Sequence, residues 1–338
     1  MTKLVIGANG FLGSHLARRL VAGGHDVRVM VRAKANTTGI DDLDVQRYVG
    51  DIWDNDILRQ AMSGCDDVYY CVVDTRGWLR DPAPLFRTNV EGTRNVLDVA
   101  KQVNQDGALK KFVYTSTYAT VGRRRGHVAT EHDIVVDKGL TPYVRSRVRA
   151  EELVLKAAKN DCLPAVAMCV STTYGPGDWG RTPHGAIIAG AAFGKLPFVL
   201  SDIELEAVGV VDAAEAMVLA AQHGRVGERY LISDKMITNT EVARIAAEAA
   251  GVPPPARSIP LPLTYALAAM GTVKGRLRGS DERLSLNSLR LMRAESPLDH
   301  SKAVRELGWN PRPVEESIRE AARFWVQLRA AKRAAERE

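Results

Sequence analysis

"KLVIGANGFLGSHLARRLVAGG", residues 3–24, is the stretch on which the fold turns. Its opening, "KLVIGA", is apolar and reads as a strand. Gly7, Gly10 and Gly13 follow as G-x-x-G-x-x-G. Phe11, Leu12, Leu16, Leu20 and Val21 then recur at helical spacing, and Gly23-Gly24 is a helix stop. Glycines between a strand and a helix allow a tight turn and let backbone approach a pyrophosphate closely. The helix start offers free N–H groups and the positive end of the dipole to that anion. A glycine triplet alone is a weak signal, and an unliganded turn is its plain alternative. Placed between a strand and a helix at the start of a βαβ unit, it predicts a dinucleotide site.

Working outward, "DVRVMVR" from Asp26, "VQRYVGD" from Val45, "DDVYYCVV" from Asp66, "KKFVYTST" from Lys110 and "LPAVAMCVS" from Leu163 read as further strands. "FRTNVEGTRNVLDVAKQV" and a stretch from about Pro142 read as helices between them. Near-continuous apolar strands separated by helices imply a parallel sheet covered on both faces. The expected class is therefore α/β, a Rossmann-type doubly wound parallel sheet with a smaller C-terminal substrate-binding lobe. The expected boundaries are a dinucleotide-binding domain over 1–172, a mixed α/β substrate lobe over 173–330 with segments returning to the sheet, and a charged tail over 331–338. In the second half, "TTYGPGDWGRTPHG" is a Gly/Pro-rich loop, "AVGVVD" and "ERYLIS" are short strands, and "DAAEAMVLAAQ", "TEVARIAAEAAG" and the C-terminal stretch from Pro313 are helical.

Bulk composition narrows the function. The chain has 338 residues, with 46 basic and 40 acidic side chains for a net charge of +6. That is too mild to imply nucleic acid, and a small-molecule substrate fits better. Cys65, Cys71, Cys162 and Cys169 form no C-x-x-C pair, so neither a metal site nor a disulfide framework is expected, and a reducing cytoplasm suits them. The chain opens directly on a strand, so no signal peptide is expected, and no apolar run reaches the ~18 residues of a spanning helix.

The second strand ends "VMVRAKAN". An acid there would bind the ribose of NAD, whereas a cation accommodates the 2′-phosphate of NADP. Arg32 and Lys34 stand there and no acid does, which favours NADP(H) and leaves NAD(H) possible; a pair of solvated loop charges is the bland reading.

"GANGFLG", "GDIWD", "NVEGTRNVLDVA", "FVYTSTYATVG", "PYVRSRVRAE", "YGPGD" and "ELGWNPRPVEESIRE" occur in that order along nearly the whole chain. The series resembles the extended short-chain dehydrogenase/reductase superfamily of epimerase/dehydratase type, nearest its dihydroflavonol-reductase-like and 3β-hydroxysteroid-dehydrogenase-like branches. The resemblance implies a hydride-transfer site with Thr117 orienting the substrate oxygen, Tyr143 donating the proton, and Arg147 where the family has lysine. It implies cofactor contacts from Gly7, Asn9, Gly10, Phe11, Leu12 and Gly13, from Asp51 and Ile52 at adenine, from Val72 after the fourth strand, from Asn89, and from the backbone near Val170. It also implies a homodimer through helices 88–104 and 142–159.

A free tyrosine titrates near pH ~10, so proton exchange near neutrality asks for a shift of roughly two to three units at ~1.4 kcal/mol each. A cation one helical turn away favours the phenolate. Arginine keeps that charge but is planar, longer and almost never neutral. In the family's R-P-x-x-V-Y-G-P-G segment, this chain reads "CVSTTYGPG", without the arginine and proline. "GRRRGH", with Arg123 to Arg125, is either an anion-capturing loop or a solvated one. "IPLPLTYALAAM" from Ile259 is core, a pocket lining or a membrane-touching segment. Trp179 and His184 either reach the substrate or serve packing. The expected activity is ketone reduction or secondary-alcohol oxidation on a bulky, lipid- or sterol-like substrate. The alternatives are a nucleotide-sugar epimerase or dehydratase, and a non-catalytic NADP(H) sensor.

Overall fold

The structure, a computed structural model, describes residues 1–336 apart from 106, 125, 137–138, 181, 201–202 and 292–295, and apart from the side chains of 290–291. The first half runs β1 (Thr2–Ile6), α1 (Phe11–Ala22), β2 (Asp26–Val31), β3 (Gln46–Val49), α2 (Asn55–Met62) and β4 (Asp67–Tyr70). A short α3 (Ala83–Phe86) passes through one π turn (Arg87–Gly92) into α4 (Thr93–Val103). Then come β5 (Lys111–Thr117), α5 (Pro142–Asn160) and β6 (Ala165–Val170). The second half contributes β7 (Thr172–Tyr174), α6 (Pro183–Ala192), β8 (Val199–Leu200), β9 (Glu204–Gly209), α7 (Val210–His223), β10 (Arg229–Ile232), β11 (Lys235–Thr238) and α8 (Asn239–Ala249). It closes with β12 (Ser258–Ile259), α9 (Leu261–Arg278), α10 (Leu286–Leu291), α11 (Ser301–Leu307) and α12 (Val314–Ala335).

Among the described residues, seven parallel strands form one sheet in the order β10-β6-β5-β4-β1-β2-β3. Strand order reverses between β1 and β4, so a crevice opens beyond their carboxyl ends. Alternating side chains feed two cores. Val5, Val29, Tyr69, Val113 and Val166 enter one with α1 and α7. Leu4, Ile6, Met30, Tyr70 and Tyr114 enter the other with α2, α4 and α5. Both faces are thereby covered, which is why the strands read as continuous apolar runs. Ion-paired Lys3 and Asp67 tie β1 to β4 at the opposite end of the sheet. A separate core joins α6, α8 and α12 around Ile245, Ile318 and Trp325.

Several local readings are corrected. "AVGVVD" is strand only to Gly209, and Val210 already begins α7. The helix expected to start near residue 88 has a π turn where it passes Asn89.

Candidate active site

The glycine loop shows why each glycine stands where it does. Gly7 has φ +85, and a Cβ there would meet Val72 Cγ2 at 3.0 Å. A Cβ on Gly13 would lie within the van der Waals surface of the Gly7 carbonyl oxygen, so only glycine lets α1 start against the loop. Gly10 caps α1 with no side-chain hydrogen bond, and the first turn holds no acid. The first-turn N–H groups therefore remain available to an anion. Phe11 packs edge-on against His15 and Leu12 against the core, so their part in any anion site falls to backbone.

Above the switch point lies a cavity of about 680 Å³. Of the residues expected at the cofactor, Gly7, Asn9, Gly10, Arg32, Asp51, Ile52 and Val72 line it. Trp53, Asp74, Arg76 and Arg87 line it as well, and sequence reasoning missed them. Arg87 stacks 5.5 Å over the half-exposed Trp53 ring, and Arg76 pairs with the buried Asp74 at 2.6 Å. Lys34 is exposed and off the wall; Arg32 is exposed on it and makes no ion pair among the described residues. The volume, the glycine cradle, the uncapped helix and the basic rim suit an extended, doubly charged dinucleotide.

The proposed chemical groups sit where β5 ends and α5 begins. Thr141 caps α5 by accepting from the Val144 N–H, and Pro142 starts it, which sets Tyr143 in the first turn. The Tyr143 phenol lies within hydrogen-bonding influence of the Thr117 hydroxyl at the carboxyl end of β5. Burial raises the phenol above its ordinary pKa, while Arg147 and Thr117 pull the other way. The cation one turn away is therefore not sufficient by itself to bring this tyrosine toward neutrality.

Arg147 is 1% exposed. Its Nη2 donates to the Thr115 carbonyl oxygen, and its guanidinium lies 5.2 Å over the Tyr114 ring. Tyr114 stacks in turn on Tyr70, with ring centroids 5.9 Å apart. Nε and Nη1 are buried without a hydrogen-bond partner. Two donors in that state are costly unless something accepts from them, and ribose hydroxyls are chemically suited to do so.

Asn89 is fully buried and does not line the cavity. Its Oδ1 accepts from the Asp74 N–H at 2.8 Å; its Nδ2 donates to the Asp74 carbonyl and the Ser146 Oγ, both at 3.0 Å. Ser146 Oγ donates to the Tyr143 carbonyl at 2.7 Å. One amide thus joins the cavity wall to the turn carrying Tyr143. Val170, which pairs with Thr117, is buried at the end of β6.

One turn beyond Arg147, Glu151 accepts from Ser116, from Thr120 at 2.8 Å, from Cys169 at 3.3 Å and from Arg229 at 2.9 Å. This buried cluster fixes the backbone on either side of Thr117. Nothing in the sequence spacing singled it out; charged residues amid apolar strand and helix faces were the available signal.

Of the three loop arginines, Arg123 stacks 5.1 Å over Tyr118 and Arg124 pairs with Asp133 at 3.5 Å, while Arg125 lies outside the described residues. His184 packs edge-on to Tyr174, and burial lowers its pKa to about 4. Trp179 packs edge-on to Phe324. Both aromatic contacts are packing contacts. No group of three metal-ligating side chains occurs among the described residues.

Comparison with known proteins adds to this geometry. The sequence model of the NAD dependent epimerase/dehydratase family matches residues 3–233. A Synechocystis protein carrying a provisional dihydroflavonol 4-reductase name is 31% identical over 96% of this chain and 94% of its own length. Sterol demethylase protein B of Methylococcus capsulatus is 29% identical over 96% of this chain and 98% of its own. The crystal structure of gox2253 superposes with a TM-score of 0.83 at 33% identity, covering 97% of this chain and 98% of that one.

Proposed function

This chain belongs to the NAD dependent epimerase/dehydratase family, and on that premise we propose that it is an NADP(H)-dependent oxidoreductase interconverting a ketone and a secondary alcohol on a bulky, lipid- or sterol-like substrate. The observation that carries the reading is Tyr143 in the first turn of α5, one turn before the buried Arg147, with its carbonyl tied through Ser146 and Asn89 to Asp74 on the wall of the cavity. Thr117 donates a hydrogen bond to the substrate oxygen and holds it for Tyr143, which gives or takes the proton there. Arg147 disfavours the neutral phenol electrostatically and offers Nε and Nη1 to ribose hydroxyls. A bound nicotinamide supplies or accepts the hydride and, when oxidised, adds positive charge that favours the phenolate.

Arg32 supports the phosphate preference, since it rims the cavity unpaired and no acid ends β2. The name of the Methylococcus relative supports the substrate class. We assign residues 1–172 to dinucleotide binding and 173–330 to substrate recognition; the cavity is lined within the first of these. The proposed assembly is a homodimer through α4 and α5, and the proposed location is the cytoplasm.

The test is net cofactor consumption, followed by absorbance across a panel of ketones and sterol-like alcohols. NADPH is expected to disappear in step with substrate, and Tyr143→Phe to lose turnover by ~100-fold or more while still binding NADPH. Arg32→Ser is expected to raise KM for NADPH by roughly tenfold and leave that for NADH unchanged. Conversion of a nucleotide sugar without net cofactor use would replace this reading with the epimerase one. Tight NADPH binding with no turnover on any substrate would leave a sensor.

A further inference from the structure

Helix α9 presents an apolar stripe outward. Leu263 is 50% exposed, Met270 60%, Val273 55% and Leu277 82%, with exposed Ala266 completing the row. Their spacing alternates three and four residues, which places them on one helix face. The opposite face is committed to the protein. Thr264, Ala268 and Gly275 are buried, and Ala268 packs with Ile203, Leu205 and Leu289. A Cβ at Gly271 would collide with the Leu284 carbonyl, so the following chain lies tight against that inner face. A run of large apolar side chains this exposed marks a surface that meets something.

We propose that this face docks the protein onto the surface of an anionic lipid bilayer. The charge pattern selects that occupant. Residues 261–278 contain Lys274, Arg276 and Arg278 and no acid. Met270, Val273 and Leu277 flank a shallow groove of about 480 Å³ whose rim is Lys274 and Arg278. At the end of the helix Arg80 lies beside Gly279, and Arg283 stacks 5.6 Å over Trp78. Asp281 accepts from the Arg80 N–H at 2.9 Å, and Glu282 pairs with Lys274 at 2.9 Å, so the cations without an ion pair among the described residues of this helix are Arg276 and Arg278. Apolar side chains rimmed by cations suit the boundary between acyl chains and anionic headgroups, with the long basic side chains reaching back to phosphate. A second copy of the chain is a poorer match. Paired in either direction, α9 brings no acid against these cations, and one stripe on one helix is small beside the roughly 800 Å² per partner of a stable dimer. No helix among the described residues is long and apolar enough to cross a membrane, so the contact is peripheral. The loop from Asp74 to Arg80 joins this surface to the dinucleotide cavity, because Asp281 holds the Arg80 backbone and Asp74 and Arg76 line the cavity. The inference does not depend on the substrate class proposed above.

The experiment is sedimentation of the full chain with vesicles of phosphatidylcholine alone, or of phosphatidylcholine with about one-third phosphatidylglycerol. The protein is expected to sediment with the anionic vesicles and to lose that binding by roughly tenfold in ~0.5 M salt. Arg276→Gln with Arg278→Gln is expected to weaken it by roughly 30-fold, about a decade and a half for two surface cations. Met270→Glu with Leu277→Glu is expected to abolish it while NADPH binding stays intact. All four substituted side chains are exposed, and the arginine pair gives an independent reading should the glutamate pair perturb folding. The proposal is overturned if the protein remains in the supernatant with both vesicles, or if neutral vesicles bind it equally well. It is also overturned if the glutamate pair splits an oligomer in light scattering while vesicle binding is unchanged.

Discussion

Replacing Arg147 with methionine removes a buried cation and keeps an unbranched apolar stem in the same space. Across one helical turn, at ~6 Å and an effective dielectric constant of ~20, that cation is worth roughly 3 kcal/mol to the Tyr143 phenolate, or about two pKa units. Burial already holds the phenol above its ordinary pKa, and Arg147 opposes it, so losing the cation moves the phenol further up. Alcohol oxidation needs the phenolate as base. The acid limb of kcat/KM against pH should therefore move up by about two units in Arg147→Met, with ~100-fold less activity below the limb and convergence above it. Arg147→Lys keeps the charge but shortens the reach to the Thr115 carbonyl oxygen, so its limb should stay within about half a unit of wild type while KM for cofactor changes. The assay is a pH series of initial rates with NADP⁺ and a secondary alcohol, with unfolding curves confirming that each variant is folded. If the limb of Arg147→Met coincides with wild type in a folded, cofactor-binding protein, the guanidinium has no electrostatic part in the proton transfer and the argument fails.

Gly13→Ala should weaken dinucleotide binding by tenfold or more and cost about 1–3 kcal/mol of stability, because its methyl meets backbone rather than a movable side chain; an unchanged fluorescence titration of NADPH would count against the loop's assignment. Glu151→Ala strips Arg229 of its carboxylate in a buried setting and should cost about 3–5 kcal/mol in denaturant unfolding, whereas a change below about 1 kcal/mol would show that the cluster is not buried as described. His184 takes a proton more readily in the unfolded chain, since burial lowers its folded pKa from 6.5 to about 4. Its contribution is therefore present above pH 6.5 and is lost as the pH falls toward about 4, with an upper limit near 3 kcal/mol that partial exposure reduces to about 1–2. His184→Gln should flatten that part of the stability profile, and an identical acid limb in both proteins would remove His184 as its source.

Much of this was legible because it is local. The demands on Gly7 and Gly13 come from a turn a few residues long, so their spacing carried the loop, and the near-continuous apolar strands carried the parallel sheet. Tyr143 and Thr117 were singled out through ordered motifs. What escaped needs chains brought together from afar. Trp53, Arg76 and Arg87 line one cavity, but no periodicity connects the turn after β3 with two separate points of the β4–β5 crossover. Arg147 was readable as a charge; that it would be buried over Tyr114, a side chain from β5, was not. Asn89 was expected beside the nicotinamide; its amide is spent on Asp74 and Ser146, partners that stand 15 and 57 residues away and that no local spacing announces. The arginine triplet looked like one feature, although Arg123 and Arg124 turn to different neighbours.

That π turn has a consequence for anyone grafting or trimming this protein. A π turn absorbs one residue more than an α-helical turn over the same revolution, so deleting one between 87 and 92 would wind the segment to α geometry, leave α3 and α4 near their present phase and shift the side chains within the turn itself. Arg87 would swing off Trp53, and Asn89 would lose its grip on one neighbour or the other. The extra residue is thus a setting in its own right, and a chimera that kept both flanking helices but not the count between them would lose the two contacts that this turn alone aims.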